Sequence, residues 1–228
     1  DMPVWYRGIE AEHQTVRTGA GLFDVGHMGV FSVGGAPAAE FLDLTLTANA
    51  SRLPVGRAAY TYLLDPTGHC LDDLIIYRVE VERFLVVVNA ANAEKDWAWL
   101  RAVNERTHSI EPGDRVAQSP VRVDLLDLKD PAVGEAQRVD LALQGRRSRA
   151  VLMRLTADDV ERGRLRAMHS NDIVQVTLAG VPVEIARTGY TGERLGFEIF
   201  VHPEAARQVW DAILEAGADE GVTACGLG

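Results

Sequence analysis

Two aspartates stand side by side in an otherwise apolar run, Leu71-Asp72-Asp73-Leu74-Ile75-Ile76-Tyr77. Side chains alternate along a strand, so Asp72 shares a face with Leu74 and Ile76, and Asp73 with Leu71, Ile75 and Tyr77. Both faces are apolar. At least one carboxylate is therefore carried toward a region of low dielectric, where an unpaired charge is costly or its pKa rises. A protein donor or a ligand must answer it. A second grouping, Arg187-Thr188-Gly189-Tyr190-Thr191-Gly192-Glu193, leads into Gly196-Phe197-Glu198-Ile199-Phe200. It is not a phosphate loop, because no Gly-Lys-Ser/Thr follows and the next element reads as a strand. Glu198 has Gly196 and Phe200 on its own face. It is either a salt-bridged structural glutamate or an acceptor for two parallel hydrogen bonds from a planar heterocycle, with Tyr190 as an aromatic wall.

Other groupings carry less. Gly19-Ala20-Gly21 follows a helical pattern and Asp24 stands where a dinucleotide fingerprint needs its third glycine, so a helix C-cap is the better account. The histidines at 13, 27, 69, 108, 169 and 202 form no His-Glu-x-x-His and have no clustered cysteine, so no metal site is expected. Seven arginines between Arg146 and Arg166, offset by Asp158, Asp159 and Glu161, read as a solvated face.

The elements that must position these residues follow from periodicity. Ile9, His13, Val16 and Ala20 recur at helical spacing. Residues 29–33 read as a strand, and a short helix carrying Ala38, Phe41 and Leu42 follows Pro37. Strands at 57–64 and 70–79 are joined by Asp65-Pro66-Thr67-Gly68, a hairpin connection. A valine-rich strand at 83–89 precedes a helix at 93–104 with Trp97, Leu100 and Val103 inward. Pro112, Gly113, Pro120, Pro131 and Gly134 punctuate an insertion-like excursion at 107–138. A strand at 139–143, a helix at 148–155, a hairpin at 172–187 about Gly180, a strand at 196–201 and a helix at 203–216 complete the series. Hairpins demand antiparallel pairing, so the expected class is α+β: two ferredoxin-like (split βαβ) halves, about 25–106 and 139–217.

The 228 residues are 47% hydrophobic and 25% charged, enough to fill a core. No apolar stretch approaches a bilayer span, so no membrane partner is expected. The 23 basic against 33 acidic residues give a net charge of −10, which argues against generic nucleic-acid binding. Cys70 and Cys225 make no disulfide framework, and a reducing, cytoplasmic compartment is the default.

Six motifs then occur in order: Asp1-Met2-Pro3-Val4, Gly8-Ile9-Glu10-Ala11-Glu12-His13, Gly21-Leu22-Phe23-Asp24-Val25-Gly26-His27-Met28-Gly29, Leu71 to Arg78, Val87-Val88-Asn89-Ala90 and Arg187 to Glu193. Together they resemble the aminomethyltransferase (T-protein) family of the glycine cleavage system, over nearly all the chain except 110–138. The resemblance implies one folate-binding core over residues 1–228. It also implies tetrahydrofolate as co-substrate, no metal, and the lipoylated H-protein as partner and aminomethyl donor. Ammonia and 5,10-methylenetetrahydrofolate are the implied products. Asp73 matches the family's catalytic aspartate; Glu198, Tyr190, Asn89, Tyr60 and Met28 match folate-lining positions. The family has Ser where Gly26 stands, Pro where Arg146 stands, and one residue fewer between the equivalents of Gly192 and Glu198. A C-terminal barrel follows this core in the family, so the chain by itself is expected to be inactive or very weak. Two alternatives share the core. One is a transferase or demethylase acting on another one-carbon donor. The other is a non-enzymatic iron–sulfur assembly factor, whose loop carries a cysteine that Thr188 to Glu193 lacks.

Overall fold

Short alternating runs separated by Asp/Pro/Gly turns must pair as hairpins, and the computed structural model shows how. It describes residues 2–108 and 122–228, which divide into a unit of residues 28–134 and a unit of residues 1–27 with 135–228.

In the 28–134 unit, β2 (Gly29–Gly34), β3 (Arg57–Leu64), β4 (Cys70–Glu80), β5 (Arg83–Val88) and β6 (Asp124–Asp127) form one sheet in the order β3-β4-β5-β2-β6. Its pairings are antiparallel. The β3–β4 turn is fixed by Asp65, whose carboxylate accepts the N–H groups of Thr67 at 2.8 Å and His69 at 3.0 Å, while Gly68 supplies φ +86°. Helices α2 (Ala38–Thr45) and α3 (Ala93–Asn104) bury Phe41, Leu42, Leu100 and Val103 with Phe31, Leu74, Ile76, Val86 and Val88. The path β2-α2-β4-β5-α3-β6 is a split βαβ arrangement, with β3 added at the edge beside β4. Of the excursion expected at 107–138, residues 109–121 lie outside the described residues, while Asp124–Asp127 pairs with β2 as β6.

The other unit repeats the plan. Helix α1 (Ile9–Thr18) leads into β1 (Ala20–Asp24). The rest comprises β7 (Val139–Gln144), α4 (Ser148–Leu155), α5 (Asp159–Ala167), β8 (Ile173–Leu178), β9 (Val181–Ala186), β10 (Gly196–Val201), α6 (Pro203–Ala216) and β11 (Val222–Ala224). The sheet order is β11-β1-β7-β10-β9-β8. The β1–β11 pairing is parallel and the others antiparallel. Leu22, Leu143, Phe197, Ile199, Val209 and Ile213 share its core with Val151 and Leu165.

One helix face differs from expectation. Val16 is buried, but Ile9 and His13 are exposed and Glu12 points inward instead. The reason is polar: Glu12 accepts the N–H groups of Tyr6 at 2.6 Å, Arg7 at 2.5 Å and Gly226 at 2.7 Å, which turns the helix about its axis. That helix also ends at Thr18, and Ala20 begins a strand.

Candidate functional site

The strand alternation separates the two aspartates of β4. Asp72, on the face of Leu74 and Ile76, is buried, and Asp73 is exposed. Asp73 is held in two ways. The Tyr60 hydroxyl on β3 donates to its Oδ2 at 2.7 Å, and Asn89 Nδ2, just past β5, lies 3.2 Å from Oδ1 and 2.9 Å from the Asp73 carbonyl. Donation to Asp73 is the main reason the Tyr60 phenol is raised from its ordinary pKa. The strand order places β4 between β3 and β5, so one aspartate can meet a residue from each side. Met28 is half-buried just before β2, where Gly29 pairs with Val88 beside Asn89.

Asp72 faces the other way, toward α3. It accepts from the Asn89 N–H at 3.1 Å, Asn89 Nδ2 at 2.9 Å and Asn92 Nδ2 at 2.6 Å. Burial acts to raise its pKa, but hydrogen bonds from Asn89, Asp96 and Asn92 outweigh burial and hold the carboxyl below the usual range. Asp96 was not singled out by sequence. Burial pushes its carboxyl up to about 6, aided by Asp72 and opposed by Lys95, whose Nζ lies 2.7 Å from Oδ1. A signal was present: Asn89, Asn92 and Asp96 recur at helical spacing and run into the buried Leu100 and Val103.

The second cluster belongs to the other unit. Glu198 sits in the middle of β10, opposite Ala142 on β7 and Ala186 on β9, and is 1% exposed. Its Oε2 accepts from the Thr188 hydroxyl and its Oε1 from the Tyr190 hydroxyl at 2.7 Å. The β10–β7 register is unbroken from Gly196 to Val201, so the additional residue after Gly192 is absorbed in the loop before the strand. Gln144, also missed by sequence, is buried beneath that loop. Its Nε2 donates to the Thr188 carbonyl at 3.3 Å, and its Oε1 accepts from the Thr191 hydroxyl at 3.3 Å. Arg17 on α1 ties the same loop from outside, meeting Glu193 at 2.6 Å and the Thr191 carbonyl at 3.1 Å.

Chemically, the first cluster offers an exposed anion oriented by two neutral donors. The second offers a buried carboxylate with an aromatic side chain beside it. Among the described residues no group of three or more His, Cys, Asp or Glu side chains is arranged to hold a metal ion.

A family profile described as the GCVT N-terminal domain matches residues 1–228. The chain belongs to this family. An aminomethyltransferase of Symbiobacterium thermophilum is 39% identical over 232 residues, covering all of this chain and 56% of the relative. One of Geobacillus thermodenitrificans is 42% identical over 228 residues, covering all of this chain and 55% of the relative. The chain therefore spans about half the length of these relatives. The crystal structure of glycine cleavage system aminomethyltransferase T from Bartonella henselae aligns with TM-score 0.78 at 32% identity, over 99% of this chain and 53% of that one. A chain of the heterotetrameric sarcosine oxidase of Corynebacterium sp. U-96 shares the fold, with TM-score 0.56 at 16% identity over 94% of this chain and 93% of that one. In this GCVT N-terminal domain, Tyr60 and Asn89 each meet Asp73 in the 28–134 unit, and Tyr190 meets Glu198 in the other. No helix of the described residues is long and apolar enough to cross a membrane.

Proposed function

We propose that this domain supplies the folate-binding core and reactive carboxylate of a cytoplasmic, tetrahydrofolate-dependent aminomethyltransferase whose donor is the lipoylated H-protein of the glycine cleavage system. The observation that carries the reading is Asp73: an exposed carboxylate oriented by Tyr60 and Asn89. In the transfer the donor's methylene carbon gives up its bonds to sulfur and to the amine. It gains bonds to N5 and N10 of tetrahydrofolate, whose protons leave with the thiol and ammonia. Positive charge develops on the carbon fragment as the amine departs, and a nearby fixed anion stabilises that charge. Asp73 also accepts a hydrogen bond from the attacking amine and so orients it. Neither Tyr60 nor Asn89 brings a compensating positive charge to the carboxylate.

Recognition of the heterocycle falls to Glu198. A pterin edge presents two parallel N–H donors, and a buried carboxylate is the matching acceptor. Tyr190 provides a flat apolar surface beside it.

The test is calorimetric titration of tetrahydrofolate into the chain, alongside Glu198→Gln and Asp73→Asn. Glu198→Gln is expected to weaken binding about 10–100-fold, the range for a charge-assisted hydrogen bond. Asp73→Asn is expected to keep affinity within about threefold and, in the longer chain supplied with H-protein, to lower turnover at least ~100-fold. Unchanged affinity in Glu198→Gln would sink the pterin assignment.

A further inference from the structure

Asp72 is the buried member of the aspartate pair on β4, and the transfer chemistry does not itself use it. Its carboxyl is held below the usual range, so at neutral pH both oxygens only accept. What they accept comes from one short segment. Oδ2 takes the Asn89 backbone N–H at 3.1 Å. Oδ1 takes Asn89 Nδ2 at 2.9 Å and Asn92 Nδ2 at 2.6 Å. The Asn92 N–H in turn donates to the Asn89 carbonyl at 2.9 Å, which closes the turn leading into α3. One carboxylate therefore holds Asn89 by main chain and side chain at once.

That grip decides which way the Asn89 amide faces. Its Nδ2 meets three oxygens: Asp72 Oδ1 at 2.9 Å, the Asp73 carbonyl at 2.9 Å and, more distantly, Asp73 Oδ1 at 3.2 Å. Turned over, the amide would set its own oxygen against these acceptors with no proton between them. Asn89 is half-buried, and no donor among the described residues reaches its Oδ1. We propose that Asp72 is a positioning residue: it locks the Asn89 amide nitrogen inward and so leaves Oδ1 as an acceptor for a substrate N–H beside Asp73. The orientation rests on these contacts alone; that the N–H belongs to a reduced folate rests on the function proposed above.

The chemistry of the ligand supplies the test. Tetrahydrofolate carries N–H groups at N5 and N8, where folic acid has bare ring nitrogens that only accept. An acceptor fixed against those positions favours the reduced ring. Both compounds are titrated calorimetrically into the longer chain, as parent, Asp72→Asn and Asn89→Ala. The parent is expected to prefer tetrahydrofolate at least ~10-fold, because a site built to pair with an N–H rejects an analogue lacking it. Asp72→Asn sets an amide donor against Asn89 Nδ2 and invites the Asn89 side chain to turn over. Its preference is expected to fall at least ~10-fold, with tetrahydrofolate weakened more than folic acid. Asn89→Ala is expected to lose the same preference. A merely structural role for Asp72 would weaken both ligands alike, so an unchanged ratio in folded Asp72→Asn would overturn the proposal. Side-chain amide exchange followed by NMR gives a second readout that needs no variant. The Asn89 Nδ2 protons of the parent are expected to exchange at least ~10-fold more slowly than those of an exposed asparagine. Exchange as fast as that reference would also overturn the proposal, even where Asp72→Asn does not fold. If the parent binds neither compound, the functional reading fails, while the exchange rates still decide whether Asp72 holds Asn89.

Discussion

Glu198 shows how hydroxyl donors help keep a carboxylate inside a sheet. Its two oxygens accept from the hydroxyls of Thr188 and Tyr190. Removing one donor leaves a buried acceptor under-satisfied, so Thr188→Val is expected to cost about 1–3 kcal/mol, read from urea or thermal unfolding. Tyr190→Phe should cost less, because Tyr190 is itself 57% exposed and water can replace its hydroxyl. Equal losses in the two variants would show that burial of the donor does not govern the cost. These residues were legible in unequal measure. Glu198 and Tyr190 stood out because an acid among apolar strand residues and a tyrosine in a Gly-rich loop are anomalies of pattern. Likewise the doubled aspartate at 72 and 73 was conspicuous, but alternation alone could not say which carboxylate turns inward, since both faces are apolar. The outcome depends on Asn89 and Asn92, which approach Asp72 from outside the strand.

At the scale of elements, Gln144 controls the loop that leads into β10. A Cβ at Gly196 would lie 2.7 Å from Gln144 Cδ and Nε2, and one at Gly189 would lie 2.6 Å from Oε1. The glutamine is buried and bonded to both Thr188 and Thr191, so it cannot swing aside without opening the loop. Gly196→Ala is therefore expected to destabilise by about 1–3 kcal/mol, the usual cost of overpacking. Adding Gln144→Ala should make the double variant lose less than the sum of the single losses, because the clash then has no partner. Strict additivity in a double-mutant cycle would refute this coupling. The β3–β4 hairpin was legible because its turn is written in local residues, Asp65 to Gly68. Strand β1 was not: Ala20–Asp24 is short and carries Gly21, and its partners are residues 141–144 and 222–224. Pairing at such a distance depends on the whole sheet, and no local propensity announces it.

At the scale of the molecule, positions far apart in sequence converge on Glu12. Its carboxylate accepts N–H groups of Tyr6, Arg7 and Gly226, and Gly228 N–H donates to the Val4 carbonyl at 2.9 Å nearby. Burial acts to raise the Glu12 pKa, but these backbone donors outweigh it and hold the carboxyl below its ordinary value. A depressed folded value contributes stability that is present above the unfolded value of about 4.3 and is lost as pH falls through the folded one. Glu12→Gln is therefore expected to melt below the parent at neutral pH, with the gap narrowing as both are acidified past pH ~4. A gap independent of pH would contradict the sign. Cys225 offers a second reading of the same region. Burial, and after it the negative charge of Glu12, push the Cys225 thiol up to about 11, whereas Cys70 is exposed. Since the thiolate is the nucleophile, iodoacetamide at neutral pH should label Cys70 alone in the folded chain and both cysteines after denaturation. Glu12→Gln removes the charge and loosens the cover, so Cys225 should become labelled in native buffer. If it stays protected while melting falls, Glu12 stabilises the fold without shielding the thiol, and the link between the two is broken.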